Sequence, residues 1–355
     1  MPRFAVFFAV LYGMSLAALA LWGIVPPPPW FLLLGSVLFL VPLAYLLTRA
    51  GLLLAHSAAG ASPWLPLVAL ATGLVLTGVY GRLLATVPIV FTVFLGVVGV
   101  TFRQGRISFP PTLFASLLII ALGYMSVFAL NYLCAILTFD GLRDATLWHI
   151  DLTAYRWLLG VAPDGGAIFP LVRNPLLFTY LENAYHFMFV GIPLAVFVLH
   201  ATGGEVRAFI RALFACYFVA LTIFLLFPAL GPTMAYPRLF DPAYAHTQTY
   251  DLMRQAATEY AALRSKGPFT GIAYFVAFPS LHVAVAVVVQ AFLYRSRTHF
   301  WLFLPVNALV LPATVLLGHH YLLDVPAGVL LAVAVLAAPA LKRAGMLLRR
   351  PGGTV

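Results

Sequence analysis

Long apolar runs broken by short polar stretches give this chain its pattern. Runs near 4–25, 30–48, 64–80, 83–102, 112–138, 176–200, 207–228, 278–294, 300–318 and 325–341 fall near the roughly 20 residues that a helix needs to cross a bilayer. They predict an all-α polytopic membrane protein of about ten transmembrane helices. Only Gly81-Arg82 separates the third run from the fourth, and Pro26–Pro29 reads as a stiff turn between the first two. Two longer polar connections stand out, at 139–175 and 229–277. The first is amphipathic around Leu142–Leu159 and contains Trp148 and Trp157, which fits a helix lying in the membrane interface; a solvated loop fits the same stretch. The second is polar and aromatic, with turn signals at Gly231-Pro232 and Gly267-Pro268. Connections of that length usually carry function or a lid.

Composition agrees with this reading. Hydrophobic residues make up 63% of the 355 and charged residues 8%, against about 25% charged in a soluble domain. The formal charge of +10 therefore sets orientation, and no nucleic-acid partner is expected. With the N-terminus inside, twelve of the 20 basic residues and a single acidic one, Glu205, fall on the inner side. Eight basic and nine acidic residues fall outside. Every short inner loop then obeys the positive-inside rule. This count predicts a multi-pass protein, compatible with a bacterial inner membrane, with residues 318–324 at the outer face. Cys134 and Cys216 sit inside apolar runs, as packing residues rather than a disulfide. No small-residue cleavage site precedes Pro26, so the first run reads as a retained helix.

Two short motifs carry candidate chemistry. Gly318-His319-His320-Tyr321-Leu322-Leu323-Asp324 lies between two apolar runs. If it is helical, His320 and Asp324 share a face at i and i+4. A carboxylate that fixes one imidazole nitrogen leaves the other free as base or nucleophile. The plainer alternative is a histidine pair anchoring a helix end at the interface. The second motif is Phe278-Pro279-Ser280-Leu281-His282. Pro279 suits the first turn of a helix, where Ser280 and free backbone N–H groups can bind an anion. Loop counting puts His282 and His320 at the same face. The set suits phosphoryl transfer: His320 attacks phosphorus, Asp324 holds its ring, and His282 protonates the leaving oxygen and then activates the incoming water or alcohol.

These two motifs resemble those of the membrane phosphatidic acid phosphatase type 2 superfamily, and more closely its branch related to fungal inositol phosphorylceramide synthase. In that branch the first motif reads Pro-Ser-Leu-His, and the second includes Ala-Thr ahead of His-His-Tyr and Asp, as Ala313-Thr314 and His319 to Asp324 do here. The resemblance covers roughly residues 112–341. It implies a six-helix core and a reaction without metal or other cofactor. It divides the chain into N-terminal transmembrane helices without an assigned role (1–105), a catalytic membrane domain (106–345) and a basic cytoplasmic tail (346–355). The wider superfamily has Ser-Arg where Ala313-Thr314 stand, and its Lys-x6-Arg-Pro motif is absent. The phosphate-binding cation must then come from elsewhere: Arg238, in a Pro-rich echo of the synthase-like branch, is the first candidate and Arg173 the second. For both the alternative is contact with lipid headgroups. Other candidate substrate contacts are Asn183 and His186, which are i, i+3 neighbours, together with His319, Tyr321 and Ser280. An interhelical hydrogen bond and an aromatic-belt position are the plainer readings for His186 and Tyr321. A zinc site lacks a third placed ligand.

The expected function is an integral-membrane lipid phosphatase or phospholipid headgroup phosphotransferase. Its partners are a membrane lipid substrate and, for the transferase, a lipid or polyol acceptor. A non-catalytic transporter or scramblase would favour polar residues at mid-membrane and an internal repeat; here the ionisable residues gather at helix ends.

Overall fold

The computed structural model describes residues 2–21, 111–160, 175–244, 247–267 and 273–348. Its described elements are all helical: α1 (Pro2–Leu21), α2 (Pro111–Leu137), α3 (Asp144–Leu159), α4 (Pro175–Ala201), α5 (Val206–Leu226), α6 (Pro232–Ala235), α7 (Pro237–Tyr244), α8 (Gln248–Ser265), α9 (Leu281–Leu293), α10 (Arg297–Leu316) and α11 (Asp324–Leu348). Among the described residues, five helices are long and apolar enough to cross a membrane: Arg3–Leu21, Ala115–Leu137, Leu177–Ala201, Val206–Leu226 and Arg297–Leu316. Leu281–Leu293 and Asp324–Ala338 are shorter apolar helices. All seven fall on predicted runs. The predicted runs 30–48, 64–80 and 83–102 lie outside the described residues.

α9 is the hub. It packs against α4, α5, α10 and α11, and eight of its residues, from Leu281 to Leu293, are buried. A helix of valine and alanine that is apolar all round belongs in the interior. One polar seam crosses it, where Asn307 of α10 donates to Gln290 (2.9 Å) and Gln290 donates to the Phe300 carbonyl (2.8 Å). Such pairs tie helices together where no water competes. Cys134 and Cys216 are both free and buried.

Four connections converge at one end of the bundle. The Ala277 N–H donates to the Ala229 carbonyl (3.0 Å), the Thr233 N–H to Gly318 (3.0 Å), and the Ser280 N–H to Asp324 (3.1 Å). In the described part of the connection at 229–277, α6, α7 and α8 precede an extended stretch at 273–277 that leads into α9. α2 fixes that stretch. The Asn131 amide pairs with the backbone of Ala273 and Phe275 like a neighbouring strand (3.0 and 2.8 Å). Tyr132 and Glu259 hydrogen-bond each other, and both meet the Ala273 N–H.

α3 supplies a helix at the amphipathic stretch, with its carboxylates turned toward the rest of the protein and its last apolar residues turned away from it. Its buried stripe is Asp144, Leu147, Asp151 and Tyr155, while Trp157 is 85% and Leu158 57% exposed. The carboxylates turn inward because they satisfy backbone donors that would otherwise be buried and unpaired. Asp144 accepts from the N–H groups of Leu230 and Gly231 (both 3.0 Å) and from the Tyr321 hydroxyl (2.8 Å). Asp151 accepts the Leu322 N–H on both oxygens (3.1 and 3.0 Å). At Gly231, φ is +98°, and a side chain there would overlap the His319 carbonyl oxygen.

Burial pushes the Asp151 carboxyl up to about 7; the Leu322 N–H pulls the other way and the Asp324 charge adds to the rise. A group whose pKa is raised by folding stabilises most below its unfolded value, and that contribution fades as pH rises through about 7. The thermal midpoint of the protein is therefore expected to decline between about pH 4 and 7, and Asp151→Asn, which keeps an acceptor for Leu322, to flatten that decline. Thermal unfolding of both proteins across this range checks the assignment; an identical slope in both removes it.

Candidate functional site

The loop that carries His319 and His320 is shaped by the end of α10. Gly318 has φ +74°, and a Cβ there would lie 2.6 Å from the Phe240 ring, so only glycine turns the chain at this point. The loop is a turn, not the helix assumed for the i, i+4 argument. The contact between His320 and Asp324 forms nonetheless. Asp324 opens α11, and its Oδ2 accepts the Tyr321 N–H (2.9 Å), which closes the turn.

His320 Nδ1 lies 2.8 Å from the Ala277 carbonyl oxygen and 3.2 Å from Asp324 Oδ2. Two acceptors at Nδ1 assign the proton to that nitrogen and leave the lone pair on Nε2. Both side chains are buried, Asp324 completely. The sequence places the second acceptor, Ala277, in the same connection as the Phe278–His282 motif. The helix starts two residues later than a Pro-first helix would: it begins at Leu281, Ser280 is its N-cap, and Pro279 precedes it after a cis peptide bond. Ser280 Oγ accepts the Val283 N–H (3.4 Å). The hydroxyl thus serves first to start the helix that holds His282.

His282 and His320 meet. Their ring centroids are 5.8 Å apart at 66°, although 38 positions separate them in sequence. Between His282 and His319 the structure brings in a residue that the sequence does not single out. Tyr185 stacks on the His282 ring at 3.8 Å and 20°, and on the His319 ring at 4.1 Å and 12°. All four nitrogens of these two histidines are buried without a hydrogen-bond partner. Stacking on one phenol is therefore what fixes their ring planes. Burial lowers His319 well below the usual histidine range, with His186 and then His320 adding to the effect, so at neutral pH it is uncharged. Tyr185 sits between Asn183 and His186 in sequence, and a tyrosine in an apolar helix gives no signal that separates it from core packing.

The remaining candidates are spread more widely. Asn183 is buried with Oδ1 unpartnered; His186 Nδ1 donates to the Glu182 carbonyl (2.9 Å) and its Nε2 is unpartnered. Tyr321 is fully buried, and its hydroxyl is committed to Asp144. Arg238 is exposed on α7 and makes no ion pair with a described residue. Arg173 lies outside the described residues. A cavity of about 80 Å³ borders His282, His319, His320 and Tyr185, and its lining contains no Lys, Arg, Asp or Glu. Among the described residues no three His, Cys, Asp or Glu side chains are grouped to hold a metal. Asp144 and Asp151, which the sequence does not single out, hold the turns beside His320, and the amphipathic stretch with its tryptophans is what assigned their helix to the interface.

No curated protein and no solved structure matches this chain. A family model described as the PAP2 superfamily matches residues 159–338, half of the sequence. The matched range includes Tyr185, His282, His319, His320 and Asp324, and stops short of Asp144 and Asp151. On that match, with its paired histidine motifs brought together at one end of an apolar helical bundle, the chain belongs to the PAP2 superfamily.

Proposed function

We propose that this protein is an integral-membrane phosphotransfer enzyme that works through a phosphohistidine on a lipid phosphate or phospholipid headgroup. Members of its superfamily are generally phosphatases or phosphotransferases. The observation that carries the reading is His320, with its proton held at Nδ1 by Ala277 and Asp324 and its free Nε2 in a ring 5.8 Å from that of His282.

The steps balance as follows. His320 Nε2 attacks phosphorus, forming the N–P bond while the bond from phosphorus to the lipid oxygen breaks. His282, charged by a proton taken up together with the phosphate substrate, gives that proton to the leaving oxygen. The imidazolium character of the phosphohistidine is met by the Asp324 carboxylate, so the ring keeps its Nδ1 proton throughout. Now neutral, His282 takes the proton of an incoming hydroxyl, whose oxygen attacks phosphorus and frees His320. Water as acceptor gives a lipid phosphatase. A lipid or polyol hydroxyl gives a headgroup transferase of the kind the synthase-like motifs resemble. Equatorial phosphate oxygens need donors. Ser280 keeps its own O–H while it accepts from Val283, and His319, His186 and Asn183 each offer a buried polar group near the stack. Arg238 and Arg173 are the candidate cations. The count of basic loop residues supports an orientation with this end of the bundle outside, facing the periplasmic or extracellular side.

Incubating the purified protein with a panel of lipid phosphates and phospholipids, with and without alcohol acceptors, tests the reading. His320→Ala is expected to lower phosphate release or headgroup transfer by about 10³-fold. A variant as active as the parent removes the proposal. Product without an added acceptor marks the phosphatase, and product only in its presence marks the transferase.

Activity is expected to persist in excess chelator; loss of activity restored by zinc would replace the histidine chemistry with a metal-bound one.

Tyr185→Phe keeps the stacked ring and is expected to leave kcat nearly unchanged. Tyr185→Leu frees both imidazoles and is expected to lower kcat by about 10- to 100-fold, with a smaller change in KM. Equal kinetics for the two variants would mean that stacking does not orient the histidines.

A further inference from the structure

The bundle has a second opening, at the end away from the histidines. A groove of about 730 Å³ lies between the turn that joins α4 to α5 and the turn that joins α9 to α10. Leu199 follows Tyr185 by 14 positions on α4, Ala291 follows His282 by nine on α9, and Leu336 follows Asp324 by twelve on α11. At 1.5 Å per residue these steps are about 14–21 Å along the helices, so groove and histidines sit at opposite ends of the bundle. The groove divides by polarity. Leu199, Phe292 and Leu336 make an apolar floor, while the exposed Arg295 and Arg297 stand on one rim and Glu205 on the other.

The rim has positive charge to spare. Arg295 reaches Glu205 at 3.6 Å, but both side chains are largely exposed, and such pairs hold little. Arg297 makes no ion pair with a described residue. No side chain caps the first turn of α10, so its N–H groups and helix dipole add to the attraction for an anion. Residues 342–355 carry four basic side chains and no acidic one, so that segment is repelled by the arginines and does not fill the groove. Aromatic rings fix the depth. Tyr294 is 74% and Trp301 58% exposed, and both rings meet Phe300. Exposed Tyr and Trp at the end of a spanning helix mark the level of the lipid headgroups. An anion held at that level, above an apolar floor, fits a phospholipid better than a soluble phosphate.

We propose that this groove holds the headgroup of an anionic phospholipid in the leaflet opposite the histidines. Its phosphate lies between Arg295 and Arg297, and the first carbons of an acyl chain lie along Leu199, Phe292 and Leu336. A lipid seated there bridges the far ends of α4, α9 and α11, which carry Tyr185, His282 and Asp324 at their near ends, and so stabilises the packed bundle. The lipid is a structural ligand and not a substrate, and the inference does not depend on the phosphoryl-transfer reading.

Lipid binding to the full chain in detergent tests it, with His320→Ala present throughout so that no lipid is consumed. Phosphatidylglycerol and phosphatidylcholine of equal chain length are titrated, and bound lipid is read by native mass spectrometry alongside the thermal midpoint. Phosphatidylglycerol is expected to bind about tenfold more tightly and to raise the midpoint further. Adding Arg295→Gln together with Arg297→Gln is expected to bring that preference within about twofold, while phosphatidylcholine binds as before. Glu205→Gln breaks the same ion pair but removes the negative charge, and is expected to widen the preference by about twofold. The opposite signs separate the charge of the rim from a loss of fold. Equal affinity for the two lipids, a preference that survives the loss of both arginines, or one that disappears in Glu205→Gln overturns the site. Displacement of phosphatidylglycerol by an equal concentration of inorganic phosphate marks a soluble-anion site and overturns the lipid assignment.

Discussion

A buried carboxylate must be met by donors, and in a protein with 8% charged residues that requirement organises the end of the bundle that carries the histidines. Asp324 is the centre of it. It has no exposed surface, and one of its oxygens answers both the His320 ring and the Tyr321 N–H. In a low-dielectric setting such contacts are stronger than in water and dearer to lose. Asp144 and Asp151 repeat the arrangement a few residues away, each using its carboxylate to collect backbone N–H groups from the turns at 230–231 and 322. Three acids thus hold in place the turns around the two histidine motifs. Packing elsewhere is ordinary valine, leucine and phenylalanine.

Catalysis and architecture are therefore hard to separate in this region. Ser280 caps the helix that bears His282, and Gly231 gives way so that its backbone can meet the carbonyl of His319. Tyr321, an aromatic between histidines and leucines in sequence, holds Asp144 by its hydroxyl. None of these contacts is itself a chemical step, yet each sets the position of a ring to which the proposed reaction assigns one. The matched family range begins at residue 159, so the helix that supplies Asp144 and Asp151 lies almost wholly outside it while gripping residues within it.

Much of this was legible in the sequence because the informative residues are local. His320 and Asp324 stand four apart, His282 follows a Pro-Ser pair, and the seven described apolar helices coincide with apolar runs; hydropathy needs no tertiary information to be read. The failures are also physical. Tyr185 was invisible because an aromatic in an apolar helix looks the same whether it packs a core or pins two imidazoles; only contacts across three elements distinguish them. The inward carboxylates of α3 were not legible because amphipathicity says which face differs, not what each face meets. A carboxylate that pairs with backbone leaves no partner residue in the sequence to betray it. Helical spacing gave the right pair at 320 and 324 for the wrong backbone, since a tight turn brings the same two side chains together.

The outward surface of α3 has a mechanical consequence. Its exposed Trp157 and Leu158 belong to the same rigid rod as Asp151, and Asp151 holds the N–H of Leu322, two positions beyond His320. His320 is thereby tethered to a peripheral helix as well as to the spanning core. Whatever tilts or shifts that rod, including the packing of the lipids around it, acts as a lever on the aim of a single ring nitrogen.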